Sequence, residues 1–204
     1  MNNTVDLWTI AIIASTVLVS FKGFRDKKFF DRYKFEVNGV LVYRQYYRII
    51  TSSFLHGSLV HLLFNMFAFY IFSTSVGRAF GSVPFLGIYF GSMIAGDLLA
   101  LYIHRNHGQY SAIGASGAVS GIIFAFVTLF PHGSIGLFFF PINIPAWLFG
   151  IIYILGAIYG LKTKLENIGH EAPLGGAIAG IVLSVAFRPH LLLEHTITIL
   201  ALLL

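Results

Sequence analysis

Long runs of apolar residues, not alternating or heptad patterns, organise this chain. Six such runs stand out: about Leu7 to Phe21, Leu59 to Val76, Val83 to Ile103, Ala112 to Phe130, Ile135 to Leu161 and Leu174 to Phe187. A helix that crosses a bilayer needs roughly 17–25 such residues. Four of the runs reach that length, and the first and last fall a few residues short. Met1–Asp6 lacks the basic start of a signal peptide, so the first run is expected to be a retained span. Pro141 and Pro145 lie near the start of the fifth. The tail, Leu191–Leu193 and Ile197–Leu204 beyond Pro189, is too short and broken to predict a seventh. The pattern therefore predicts an all-α membrane protein of six helices, a single domain over residues 1–204 with no room for a separate soluble one.

One polar segment interrupts this pattern, from about Lys22 to Thr51. It holds eight cations: Lys22, Arg25, Lys27, Lys28, Arg32, Lys34, Arg44 and Arg48. Phe29, Phe30, Tyr33, Phe35, Tyr43, Tyr46 and Tyr47 are interleaved with them. Such a mixture suits an element at the membrane interface, with rings at headgroup depth and cations in water. Within it, Phe35–Val37 and Val40–Val42 flank Asn38-Gly39, which predicts a hairpin.

Composition narrows the class. Of 204 residues, 57% are hydrophobic and 10% charged, and the mean hydropathy is +0.81. That excludes a disordered chain, a nucleic-acid-binding module and an ordinary cytosolic enzyme. With no cysteine, disulfides, thiolate metal sites and cysteine nucleophiles are excluded too. The formal charge of +5 reads as loop cations meeting anionic lipid.

Glycines recur four residues apart: Gly87 and Gly91, Gly117 and Gly121, Gly156 and Gly160, Gly176 and Gly180. Such pairs let helix backbones approach closely in lipid. In the third and fifth spans this predicts packing alone. In the fourth and sixth it would also bring two polar positions together.

Polar groups at membrane depth are costly and mark function by default. The second span opens with His56, His61 and Asn65, and the last two share a helix face one turn apart. The fourth opens with Gly114-Ala115-Ser116-Gly117, a serine whose hydroxyl is accessible among unpaired helix-start N–H groups. Those N–H groups, an Asn amide and a His ring are suited to stabilising an oxyanion. Asp97, late in the third span, is expected to be an interfacial acid near His104 and Arg105, outside the chemistry.

These residues together resemble the rhomboid family of intramembrane serine proteases. The match runs through Arg48 and Thr51, His56, His61-Leu62-Leu63-Phe64-Asn65, Gly114-Ala115-Ser116-Gly117-Ala118 and Gly175-Gly176-Ala177-Ile178-Ala179-Gly180, covering about residues 7 to 187. The resemblance implies a six-helix bundle with a large interfacial first loop. It implies Ser116 as nucleophile, with His61, Asn65 and the Ser116 backbone N–H as the oxyanion hole. It further implies transmembrane protein substrates in a lipid bilayer, with no metal, cofactor or nucleic acid. The family base is a histidine at the start of the sixth helix.

There the chain departs from the pattern. Aligned on Gly176 and Gly180, the histidine position falls on Pro173, in Ala172-Pro173-Leu174-Gly175-Gly176. Proline cannot accept a proton, and a positioned base contributes about 10²–10⁴-fold. Either the scaffold has lost its base, as in a pseudoprotease that binds transmembrane helices, or His170 substitutes for it with Glu171 orienting the ring. Two smaller departures are Ser120, where the family often has an aromatic, and Gly77, where it has an acid. The resemblance also implies a bacterial-type inner membrane with the site open to the external face. In that orientation the outer loops carry eleven of the thirteen basic residues, which the positive-inside rule would invert.

Overall fold

The computed structural model describes residues 7–136, 143–163 and 169–191. Six long helices carry the predicted spans: α1 (Leu7–Arg25), α5 (Leu59–Phe80), α6 (Ser82–His104), α7 (Ser116–Leu129), α8 (Ala146–Thr163) and α9 (Glu171–Phe187). Of these, α1, α5 and α6 are long and apolar enough to cross a membrane, and the other three are shorter apolar helices. Large hydrophobic side chains remain outward, among them Leu63, Tyr70, Leu98, Leu155 and Val182. Helices apolar on every side belong in lipid, where each backbone polar group is satisfied within its own helix.

The short elements depart from expectation in two places. No hairpin forms at Asn38-Gly39. Instead α2 (Lys27–Tyr33) leads to β1 (Phe35–Glu36), the helical turn α3 (Val37–Leu41), α4 (Arg48–Thr51) and a 3-10 turn at Ser52–Phe54. Phe35, Val37 and Val40 are all buried. Here the Val42 and Tyr43 N–H groups both donate to the Asn38 carbonyl, at 2.9 and 3.0 Å, which closes a helical turn in place of a strand pairing. β1 pairs instead with β2 (Ser111–Ala112), Phe35 opposite Ala112. The fifth helix begins at Ala146, not Ile135, because Ile135 lies in β3 (Ser134–Gly136), paired antiparallel with β4 (Asn143–Pro145). Pro141 and the chain after Leu191 lie outside the described residues.

Arg48 organises the first loop. Its side chain is buried, and Nη1 donates to the carbonyls of Asp31 at 3.0 Å and Lys34 at 2.7 Å while Nε donates to Gln45 Oε1 at 2.5 Å. A buried guanidinium is tolerable only with its donors used in this way. Gly39 makes room for it: a Cβ there would stand 2.8 Å from Arg48 Cδ and Nε. Thr51 Oγ1 adds a bond of 2.8 Å to the Tyr33 carbonyl. The loop then grips the segment before Ser116, since Val37 N–H donates to the Tyr110 carbonyl at 3.1 Å and Asn38 N–H to the Gly108 carbonyl at 2.9 Å.

At the centre, α9 lies between α6 and α7. A Cβ on Gly176 would collide with the Gly117 carbonyl, and one on Gly180 with the Gly121 carbonyl. On the other side, a Cβ on Gly175 would stand 2.9 Å from the Ala95 carbonyl oxygen, and one on Gly96 2.6 Å from that of Ala172. The paired glycines of the fourth and sixth spans therefore make backbone-to-backbone contact. Those of the third span meet Phe187 and Leu183 side chains, and Gly156 of the fifth meets nothing within 4 Å. Gly176→Val is expected to destabilise the bundle by about 3 kcal/mol or more, the upper range for forced overpacking. Gly156→Ala is expected to stay within about 1 kcal/mol of the parent. Thermal unfolding of both variants in detergent checks the contrast.

Candidate active site

Ser116 is the first residue of α7 and is half-buried. Glycines open space on both sides of it. Gly114 has φ +113°, a backbone angle that side chains rarely adopt, and the vacancy left by its missing Cβ holds the His61 ring. A Cβ there would lie 2.7 Å from His61 Cε1 and 2.9 Å from Nε2. On the other side Gly117 faces α9, with the Ala172 carbonyl oxygen 3.2 Å from where its Cβ would stand. Thus the Gly-Ala-Ser-Gly order sets the serine between a histidine of α5 and the first turn of α9.

His61 and Asn65 occupy the predicted face of α5. Ser58 caps the helix by accepting the His61 N–H at 3.2 Å, and Asn65 Nδ2 donates to the His61 carbonyl at 3.0 Å. The His61 ring meets His56 edge-on at 4.9 Å between centroids. His56 has no solvent exposure, and its protonation follows from its partners. Ser20 of α1 donates its one hydroxyl proton to the Phe54 carbonyl at 2.8 Å, so its oxygen accepts from His56 Nδ1–H at 2.9 Å. His56 Nε2 is then bare and accepts the Ala115 N–H at 3.4 Å. Burial, aided by the neighbouring His61, pushes the His56 pKa down to about 3. This neutral ring ties α1 to the residue preceding Ser116.

Asp97 is not the interfacial acid expected from sequence. It is buried in α6, and its Oδ2 accepts a hydrogen bond of 2.8 Å from Ser52 Oγ. The Ser52 carbonyl in turn accepts Gly114 N–H at 3.1 Å. The chain Asp97–Ser52–Gly114 therefore anchors the approach to Ser116 from a third side. Neither Ser20 nor Ser52 stood out in the sequence, because a serine in an apolar run carries no signal until its partner is known.

On α9 the structure separates two residues that sequence had joined. Ala172 and Gly176 both meet Gly117, so Pro173, between them in the first turn and half-buried, belongs to the part of α9 that adjoins Ser116. The missing N–H of a proline costs nothing in that turn. His170 is not hydrogen-bonded to Ser116. It is the N-cap residue of α9, and its ring packs on α8, where a Cβ on Gly160 would stand 2.5 Å from Cδ2 and Nε2. Its Nε2 is buried with no hydrogen-bond partner. Glu171 does not orient His170 either. Its Oε1 lies 2.8 Å from His104 Nε2, and its Oε2 accepts the Tyr110 hydroxyl at 3.2 Å. The His104 and Tyr110 rings stack at 3.6 Å and 7°. Burial and the Glu171 charge together push the Tyr110 hydroxyl pKa up. Ser120, in place of an aromatic, meets the Tyr153 hydroxyl of α8 at 2.5 Å.

The neutral His56 makes stability depend on pH. The unfolded chain binds a proton at this position below about pH 6.5 and the folded chain does not, so stability is complete above 6.5 and declines as pH falls toward 3. Between pH 6.5 and 5 this group alone is expected to remove about 2 kcal/mol. Thermal unfolding against pH should show that decline in the parent and a shallower one in His56→Gln.

Comparison with known proteins agrees with the bundle and its motifs. Residues 43–190 match the rhomboid domain. Rhomboid protein 1, mitochondrial, of Saccharomyces cerevisiae is 34% identical over 137 residues, 66% of this chain and 40% of that protein. RHOMBOID-like protein 12, mitochondrial, of Arabidopsis thaliana is 32% identical over 149 residues, 66% of this chain and 44% of that protein. The human presenilin-associated rhomboid-like protein, mitochondrial, is 30% identical over 139 residues, 65% of this chain and 36% of that protein. The chain thus spans less than half the length of these relatives. Each is named mitochondrial, so they lend no support to the expected bacterial-type inner membrane. The domain match covers well over half of the chain and coincides with the glycine-packed helices around Ser116, and on that ground this protein belongs to the rhomboid family.

Proposed function

We propose that this chain acts on the transmembrane segments of other membrane proteins through a serine-endopeptidase site of rhomboid type. Ser116 Oγ is the nucleophile that attacks the peptide carbonyl carbon. The His61 ring, the Asn65 amide and the Ser116 backbone N–H are the donors to the oxyanion that forms. The supporting observation is the contact of Gly114 with the His61 ring, which brings α5 against the start of α7 at Ser116. Donors of this kind contribute to acyl transfer independently of the base.

Pro173 favours a second reading, a pseudoprotease that holds transmembrane helices without cutting them. The hydroxyl proton of Ser116 has to leave as its oxygen attacks, and no imidazole is hydrogen-bonded to Ser116 among the described residues. Losing that base costs about 10²–10⁴ in rate.

A fluorophosphonate probe separates the readings. The chain as written is expected to label slowly, and Pro173→His to label about 10²-fold faster or more. Ser116→Ala should abolish both signals, and His170→Ala should change neither. Labelling that survives Ser116→Ala contradicts the nucleophile assignment. Labelling lost in His170→Ala restores His170 as the base. Capture of a transmembrane substrate without a cleavage product favours the pseudoprotease; a product that disappears in Ser116→Ala rules it out.

A further inference from the structure

The cations that open the first loop are a feature of the sequence that the Ser116 site leaves unused. Between residues 22 and 34 it carries six cations, Lys22, Arg25, Lys27, Lys28, Arg32 and Lys34, against two carboxylates, Asp26 and Asp31. Both carboxylates are engaged: Asp26 Oδ1 accepts the Phe29 N–H at 3.0 Å to cap α2, and Asp31 pairs with Lys34 at 3.0 Å. Lys22, Arg25, Lys27, Lys28 and Arg32 are exposed, and none has an ion-pair partner among the described residues. Helix dipoles do not account for this cluster. Lys22 and Arg25 suit the C-terminal turn of α1, but Lys27 and Lys28 open α2, where a dipole disfavours cations.

The shape beside the cluster is two-sided. A shallow, open depression along the end of α1 is lined by Leu18, Phe21, Lys22, Arg25 and Asp26. Its apolar wall continues the lipid-facing side of α1, where Leu18 is 71% and Phe21 44% exposed. Its cations follow along the helix: at the α-helical rise Lys22 and Arg25 stand about 6 and 10 Å beyond Leu18, and about 2 and 6 Å beyond Phe21. That order, apolar and then cationic along one helix, matches an acyl chain followed by its phosphate. The ammonium of Lys22 also lies 4.4 Å from the Phe29 ring centroid, which holds a cation at the polar end of the depression.

We propose that the end of α1 and the start of α2 form a binding site for an anionic phospholipid. Its acyl chain runs along Leu18 and Phe21, and its phosphodiester is held by Lys22 and Arg25, with Lys27 and Lys28 beside it. Asp26, spent on its cap, bounds the site and turns the phosphate toward Lys22 and Arg25. The bilayer is the source of this ligand, because a free phosphate would leave the apolar wall unused. Juxtamembrane cations of this kind gain from the negative surface potential of anionic lipid.

The test uses the full chain in detergent with added lipid. Phosphatidylglycerol is expected to raise the thermal unfolding midpoint by about 3 °C or more over phosphatidylcholine. The combined Lys22→Gln, Arg25→Gln, Lys27→Gln, Lys28→Gln variant should lose that difference. A control that removes exposed cations elsewhere, Arg44→Gln with Arg105→Gln, should keep it. Native mass spectrometry should show a retained phosphatidylglycerol adduct on the parent and not on the quadruple variant. Equal midpoints in the two lipids overturn the proposal. So does an equal loss in the control, which would mean diffuse attraction, or an equal shift with inorganic phosphate, which would mean a free-anion site.

Discussion

The architecture of this protein depends on one contact, the backbone of α9 lying directly on the backbone of α7. Gly176 meets the Gly117 carbonyl and Gly180 meets the Gly121 carbonyl, at separations that leave no room for a Cβ. In lipid there is no hydrophobic drive to hold two apolar helices together, so close packing of this kind has to supply the association. The same contact determines which residue of α9 stands near the serine. Because Gly117 is the residue after Ser116, the turn containing Ala172, Pro173 and Gly176 is the one that reaches the site. The register leaves His170 a turn away, its ring packed against Gly160 of α8.

Around that contact four buried ionisable side chains each find partners. Arg48 is neutralised in effect by carbonyls of its own loop, Asp97 by Ser52, Glu171 by His104 and Tyr110, and His56 by staying uncharged between Ser20 and Ala115. Three of these arrangements converge on the segment leading into Ser116. The first loop pairs with Ser111–Ala112, Ser52 holds Gly114, and His56 holds Ala115. The position of Ser116 is thus held from α1, α5, α6 and the first loop together. Five exposed cations, Lys22, Arg25, Lys27, Lys28 and Arg32, gather at the end of α1 and on α2, where solvent and lipid headgroups can meet them.

Much of this was legible in the sequence, and the exceptions have physical reasons. The six helices were visible because a bilayer demands uninterrupted apolar length. Ser116, His61 and Asn65 were conspicuous because polar groups are scarce in those runs, and the glycine pairs of the fourth and sixth spans announced a close approach. The Asn38-Gly39 turn signal does not make a hairpin because the strand before it, Phe35–Glu36, takes its partner from Ser111–Ala112, distant in sequence, and not from Val40–Val42. The fifth span was begun too early because Ile135 is apolar in a strand as in a helix. Asp97 and Glu171 were misplaced because their partners, Ser52 and His104, lie 45 and 67 residues away in sequence. His170 looked free to approach Ser116 only while the position of α8 was unknown.

The packing of Ala172 and Gly176 on Gly117 puts residue 173, and not residue 170, in the turn of α9 nearest Ser116. The absence of cysteine from the chain allows a direct measurement. Disulfide formation in isolated membranes, under mild oxidation, should be compared for two double variants, Ser116→Cys with Pro173→Cys and Ser116→Cys with His170→Cys. A disulfide requires Cα atoms roughly 4.4–6.8 Å apart with suitable Cβ directions. Rapid, near-complete crosslinking is expected of the first pair and little of the second. Preferential crosslinking of the second pair would contradict that placement.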